Sequence, residues 1–151
     1  MEKYEKTLIE LRKSGWFEGR KIDISKQVSF LESKGFKVFK KAEEFMEEFG
    51  ELKIVLEKLL SNNQKIITKH STVIEDVIGI GDSSWFGLEE YLDEDVIPVA
   101  ELFGGEFTLY ISKSGRFYEN MGWIGDNALE AFDNLIDKKK IIMWHEYNDK
   151  N

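Results

Sequence analysis

The sequence predicts an α+β fold in which a mainly antiparallel sheet, with a central meander over about residues 96–121, packs with N-terminal, middle and C-terminal helices. Three observations predict it. Apolar residues recur at helical spacing through the first fifty positions, they switch to period-two alternation with interleaved turns from Val96 onward, and helical spacing returns after Asn127. At 151 residues the chain is the size of one domain. It shows neither an internal repeat nor a low-complexity linker, so a single domain over residues 1–151 is expected.

Tyr4, Leu8 and Leu11 share one helical face and Ser14-Gly15 stops the pattern, which predicts a first helix over Lys3 to Lys13, followed by the aromatic anchor Trp16-Phe17. Asp23 or Ser25 can cap a second helix carrying Ile24, Val28 and Leu31 on one side, with Gly35 supplying a left-handed exit. Ala42, Phe45, Met46 and Phe49 lie at i, i+3, i+4 and i+7, the clearest helical stripe in the chain, and Gly50 is expected to end it. Leu52, Ile54 and Leu56 then alternate with Lys53 and Glu57. A strand is preferred there to a helical continuation through Leu60. Ser61-Asn62-Asn63 reads as a turn and Lys65 to Lys69 as the returning arm of a hairpin.

Gly79, Gly81, Asp82 and Ser83-Ser84 mark a loop, and Trp85 to Leu92 reads as a short helix with Leu88 and Leu92 on one side. Ile97, Val99 and Phe103 form the next strand, leading to the Gly104-Gly105 turn, after which Phe107, Leu109 and Ile111 alternate cleanly. Lys113-Ser114-Gly115 is a turn, and Arg116 to Met121 is expected to return as the third strand of the meander. The only proline, Pro98, lacks a backbone donor and is placed at a strand start or on an edge. Asn127 and Glu130 form a capping pair for a last helix that lines up Leu129, Phe132, Leu135 and Ile136, and Ile141 to Trp144 reads as a terminal strand.

Composition narrows the function. The chain has no cysteine, so disulfides, thiolate metal sites and a cysteine nucleophile are excluded, in keeping with a reducing cytoplasm. Charges in Met1-Glu2-Lys3-Tyr4-Glu5-Lys6 occupy the place of a secretory signal's apolar core, and no apolar run approaches the roughly 20 residues that span a bilayer. A cytoplasmic protein that does not engage a membrane is therefore expected; Lys138-Lys139-Lys140 before four apolar residues is too short a signal for attachment. With 29 acidic against 21 basic residues, the net charge of -8 disfavours nucleic acid as a direct partner and favours a basic protein.

No catalytic motif emerges. His70 and His145 are the only histidines and fall outside zinc-type spacing, so no metal or other cofactor is expected, and both read as solvated or hydrogen-bonded residues. The Gly79-Ile80-Gly81-Asp82-Ser83-Ser84 segment lacks the Lys-Ser/Thr ending of a phosphate loop and a clear preceding strand. There is no Gly-x-Ser-x-Gly elbow. Acidic residues do cluster, in Glu43, Glu44, Glu47, Glu48 and Glu51, and again in Glu89, Glu90, Asp93, Glu94 and Asp95. Each cluster reads either as the wet side of an amphipathic element or as a negative field for a cationic partner. The second has Trp85, Phe86 and Tyr91 beside it as aromatic anchors, which makes it the better interface candidate.

Several local signatures appear in a characteristic order. Leu11 and Gly15-Trp16 are followed by Arg20, Phe30-Leu31 by Gly35-Phe36, and then comes the Phe45 to Gly50 stretch. Later stand Ile97-Pro98-Val99, Gly104-Gly105, Leu109-Tyr110-Ile111, Gly115-Arg116 with Tyr118, and Ala128 to Leu135. In this order they resemble the third group of the SUKH superfamily, of the SMI/KNR-like fold, across most of the chain. Ala100, where the group often has glycine after Pro-Val, and the tail from Ile141 to Asn151 depart from the pattern. The resemblance implies a cytoplasmic immunity protein, not an enzyme, that binds and blocks a cognate bacterial toxin domain, often a nuclease or another enzyme attacking nucleic acid or nucleotides. It also implies structural roles for Gly15, Trp16, Arg20, Gly35, Pro98, Gly115, Arg116 and Tyr118. The toxin-binding residues expected on the acidic segment are Trp85, Phe86, Glu89, Glu90, Tyr91, Asp93, Glu94 and Asp95. The alternative is a regulatory interaction module or scaffold of the same fold, which an adjacent toxin gene would distinguish.

Overall fold

The structure, a computed structural model, describes residues 3–78 and 84–150. Three helices open the chain: α1 (Glu5–Lys13), α2 (Ser25–Ser33) and α3 (Lys40–Phe49). They are followed by the hairpin β1 (Lys53–Leu59) and β2 (Lys65–Ser71), then α4 (Ile74–Ile78) and α5 (Ser84–Leu92). The second half holds β3 (Val96–Leu102), β4 (Phe107–Ser112), β5 (Phe117–Glu119), β6 (Gly122–Gly125), α6 (Ala128–Asp133), β7 (Ile142–Met143) and α7 (Trp144–Lys150). The seven strands form one sheet in chain order, and every neighbouring pair is antiparallel. The α+β class is as expected.

The core forms where α1, α3 and α6 lay their apolar stripes on one sheet face. Leu8, Leu11, Phe45, Met46, Phe49 and Phe132 are all buried, against Ile97, Leu109, Ile111, Phe117 and Ile124. Phe45 is the hub, with ring centres 5.6 Å from Phe49, 5.3 Å from Phe117 and 6.1 Å from Phe132. Burying side chains of this size contributes about 1.5–3 kcal/mol each, so the aromatic stripe of α3 is the main clamp between helix layer and sheet. A buried hydrogen bond from Thr7 Oγ1 to Asp133 Oδ1 at 2.8 Å ties α1 to α6 across 126 positions of sequence. Period two then sends Tyr110 and Tyr118, paired across β4 and β5, to the opposite face.

Local chemistry explains the helix ends. Asp23 does not cap α2 directly; its Oδ1 accepts the Ser25 N–H at 2.9 Å and the Ser25 hydroxyl at 2.6 Å, turning the chain into the helix and holding its own carboxyl below the usual range. Gly35 is left-handed (φ 92°), and the following Phe36 N–H reaches back to the Leu31 carbonyl at 3.0 Å. Asn127 caps α6 through the Glu130 N–H at 2.9 Å, while Glu130 Oε1 accepts the Asp126 N–H at 2.7 Å. The first hairpin keeps register from Lys53↔Ser71 to Leu59↔Lys65, with Asn63 left-handed in its turn, which settles the strand reading of Lys53–Leu59.

Three expectations need correction. Phe103 is not in a strand: with Gly104 and Gly105 it takes positive φ in a tight turn, so the chain reverses directly after Leu102. Arg116 to Met121 is not one strand. Glu119 accepts the Met121 N–H in a turn at Asn120-Met121, and a further strand, β6, follows. Pro98 stands third in β3, and because β2 meets β3 only at Ser71↔Glu101 it has a neighbouring strand on one side alone, the edge setting expected of it. The register with β4 shifts just after it, between Pro98 and Ala100. Finally, only Ile142–Met143 forms the terminal strand, and Trp144 opens α7 instead. The glycine-rich loop reading at residues 79–83 lies outside the described residues.

Candidate protein interaction site

Six of the eight expected structural residues fall into two clusters, while Gly35 ends α2 and Pro98 lies in β3. Trp16 is buried and stacks on Phe49 with centres 6.0 Å apart and planes within 4°, while its Nε1 donates to Glu48 Oε2 at 3.0 Å. Arg20 Nη1 donates to the Glu48 carbonyl at 2.7 Å, so both residues fasten the Gly15–Arg20 segment to the end of α3. Burial lowers the Arg20 pKa, with Glu51 and Glu48 opposing that shift. In the second cluster Gly115 is left-handed and packs under Lys41. Tyr118 is buried with its hydroxyl 3.0 Å from that of Tyr147, and Arg116 reaches Tyr147 at 3.5 Å and Asp126 at 3.8 Å. Burial, then the Tyr147 hydroxyl, raises the Tyr118 pKa far above the usual phenol range.

The first acidic cluster is partly engaged within the fold, and Glu43, Glu44 and Glu51 are exposed. Glu48 holds Trp16, Glu51 accepts from Gln27 at 2.7 Å, and Glu44 and Glu47 lie 3.9 Å from Lys41 and Lys21. The second is divided. Glu94 accepts the Ser114 N–H at 2.8 Å and its hydroxyl at 3.2 Å, pinning the β4–β5 turn, and Glu89 accepts the Val96 N–H at 3.4 Å. Glu90, Asp93 and Asp95 are exposed. Trp85 and Phe86 lie on α5, and their side chains are outside the described set.

Tyr91 is 44% exposed and is not isolated. Its ring meets Trp144 edge-on at 5.3 Å, and Trp144 stacks on Tyr118 at 5.5 Å and donates its Nε1–H to the Asn120 carbonyl at 2.9 Å. Between α5 and α7 this leaves an open cavity of about 340 Å³. Leu88, Tyr91 and Trp144 line it, together with Tyr110, Glu119 and Asn120. Glu119 is 6% exposed, and burial raises its pKa against the opposing pull of the Met121 and Gly122 amides. Sequence reasoning missed Glu119, Trp144 and Tyr147; the i, i+3 pair Trp144 and Tyr147 was the available signal for α7.

The family model for "SUKH-3 immunity protein" matches residues 3–138. The chain belongs to that family. The SUKH-3 match takes in the Trp16 cluster, α5 with its acids and the sheet beneath, and ends before β7 and α7, so Trp144 stands outside it. No curated protein and no solved structure matches the chain. No group of three or more His, Asp or Glu side chains among the described residues is placed to share a metal ion, and no helix among them is long and apolar enough to cross a membrane. His145 is exposed beside Glu146, whereas His70 is buried and hydrogen-bonded.

Proposed function

We propose that the chain binds a cognate bacterial toxin domain and neutralises it by occlusion rather than by catalysis, in the cytoplasm. Membership of an immunity family over residues 3–138 carries the reading. The net charge of -8 and the exposed Glu90, Asp93 and Asp95 support a basic partner, as an enzyme acting on nucleic acid or nucleotides would be. Opposite potentials speed encounter, and Tyr91 supplies an aromatic anchor beside the acids.

The test is co-expression with the C-terminal toxin domain encoded by the adjacent gene. Rescue from toxicity and a complex weakened by salt are expected; toxicity undiminished by abundant folded protein refutes the function. Neutralising the exposed acids together (Glu90→Gln, Asp93→Asn, Asp95→Asn) should slow association about tenfold at low salt. Glu94 is left intact because it pins a turn. An unchanged association rate and salt dependence would reject this patch while leaving the function standing.

A further inference from the structure

The β1–β2 hairpin stands largely clear of the rest of the sheet. β1 is the outermost strand, and β2 meets β3 only at Ser71↔Glu101, so the ladder from Val55↔Lys69 to Leu59↔Lys65 extends past its neighbours. On it Val55, Leu59, Ile66 and Ile67 are 51%, 64%, 47% and 53% exposed. Apolar side chains gathered on an unpaired edge mark an interaction surface. The hairpin also carries Lys53, Lys58, Lys65 and Lys69 against Glu57 alone, in a chain whose net charge is -8. A second copy can therefore approach along it without setting acid against acid.

Two backbone hydrogen bonds fix which residues face the free edge. Thr72 N–H donates to the Leu52 carbonyl at 2.8 Å and Leu60 N–H to the Gln64 carbonyl at 2.8 Å, so the even-numbered residues of β1 bond to β2. Lys53, Val55, Glu57 and Leu59 then direct their N–H and C=O groups outward, beyond the last strand of the sheet. Neither Lys53 nor Glu57 has an ion-pair partner among the described residues.

We propose that β1 pairs antiparallel with β1 of a second copy about a two-fold axis at Val55, joining the two sheets edge to edge. This goes beyond the toxin-binding reading and does not depend on it. Charge selects the register. Pairing centred on Val55 sets Lys53 opposite Glu57 of the second copy, twice by symmetry. Centring on Glu57 would oppose like charges, and centring on Leu56 would leave both charges facing apolar residues. In the Val55 register that residue meets its own counterpart, and half-buried Leu56 meets Ile54 on the other face, extending the buried row of Ile54 and His70. Lys69, beside Val55 on β2, lies three strand spacings from its counterpart, about 14 Å, which exceeds the Debye length of about 8 Å at physiological salt. Edge lysines ordinarily keep other strands away. Lys53 serves that purpose against foreign strands, while Glu57 admits a copy of the same sequence. Aliphatic rather than aromatic side chains between the lysines give nucleic acid no stacking platform.

The test is sedimentation velocity of the full chain over about 1 to 200 μM at physiological salt. An edge of this length buries less than a standard interface, so reversible dimerisation with a Kd on the order of 10 μM is expected. Lys53→Glu and Glu57→Lys each set like charges opposite one another twice and should weaken the dimer about tenfold, and the double reversal should restore it. Val55→Pro removes an outward N–H rather than a bond to β2, so the hairpin persists and the dimer is lost. Should the proline disturb the hairpin, the two reversals, both at exposed side chains, still decide the matter. A chain monomeric throughout, a dimer indifferent to Val55→Pro, or single reversals that the double reversal does not rescue would each overturn the proposal. A monomer whose complex with the toxin domain is weakened by Val55→Pro would assign the edge to a strand of the toxin and equally remove the second copy. Rescue from toxicity is read separately, so self-association can fail while the toxin-binding function stands, and the reverse.

Discussion

His70 should make the stability of this fold fall as the medium is acidified, by an amount the structure sets. The ring is 3% exposed, on β2. Its Nδ1 accepts the Phe103 N–H at 3.1 Å, so the neutral ring carries its proton on Nε2, for which the described residues provide no acceptor. The Phe103 ring meets it edge-on at 4.9 Å, and this clamp holds the left-handed turn between β3 and β4. Protonation would place a charge in that dry site and destroy the acceptor. Burial first, then the nearby Lys139 charge, lowers the pKa from 6.5 to about 4.

A histidine whose folded pKa is depressed binds its proton more readily in the unfolded chain. Its stabilisation is therefore full above about 6.5 and drains as pH falls toward about 4. At 1.36 kcal/mol per unit, the loss reaches about 3 kcal/mol at its limit, of which about 2 kcal/mol falls between pH 7 and pH 5. That corresponds to about 4–8 °C in Tm for a chain of this size. Carboxylates titrate over the same range, and Glu119, whose folded pKa is raised, works in the opposite sense because its protonation favours the folded state. A variant is therefore needed as reference. His70→Asn retains an acceptor for the Phe103 N–H and cannot titrate. Urea unfolding followed by tryptophan fluorescence at pH 7, 6 and 5 should show wild type ahead of the variant at pH 7, with the gap shrinking by about 2 kcal/mol at pH 5. A gap that stays constant over that range would refute the buried-histidine argument.

Two further substitutions probe the scaffold by unfolding. Thr7→Val leaves the buried Asp133 carboxylate without its hydroxyl donor and should cost about 1–3 kcal/mol in urea unfolding, with Thr7→Ser recovering most of it. Gly122→Ala would set a Cβ 2.0 Å from the Ile142 carbonyl oxygen, so β7 must separate from β6. Faster amide exchange in β7, together with a lower Tm, is the expected outcome.

The parts of the fold legible in the sequence are those whose pattern is local. The Ala42, Phe45, Met46 and Phe49 stripe specifies a helix whichever surface it meets, and the alternation of Phe107, Leu109 and Ile111 specifies a strand. β6 escaped because Gly122-Trp123-Ile124-Gly125 has glycine at both ends and too few residues to show a period; its identity comes from pairing with β5 and β7. The Phe103 turn escaped because a bulky residue is seldom left-handed, and what holds it there is His70, 33 positions away.

The site shows the same division more sharply. Composition located the acids and aromatics of α5, yet it could not separate Glu94, which pins a turn, from Glu90, which faces solvent. Nor could it promote Glu119, one acid among 29, to a buried group, or Trp144 to a wall of the cavity beside Tyr91. That promotion requires β5 to turn at Asn120, α5 to cross the far face of the sheet, and Trp144 to come back over Asn120 from the chain's end. Specificity for one partner among many demands such non-local assembly. Exposed acids attract any basic surface, so a partner is selected by contacts beyond charge. Neutralising the exposed rim of Glu90, Asp93 and Asp95 should therefore change the association rate more than the dissociation rate.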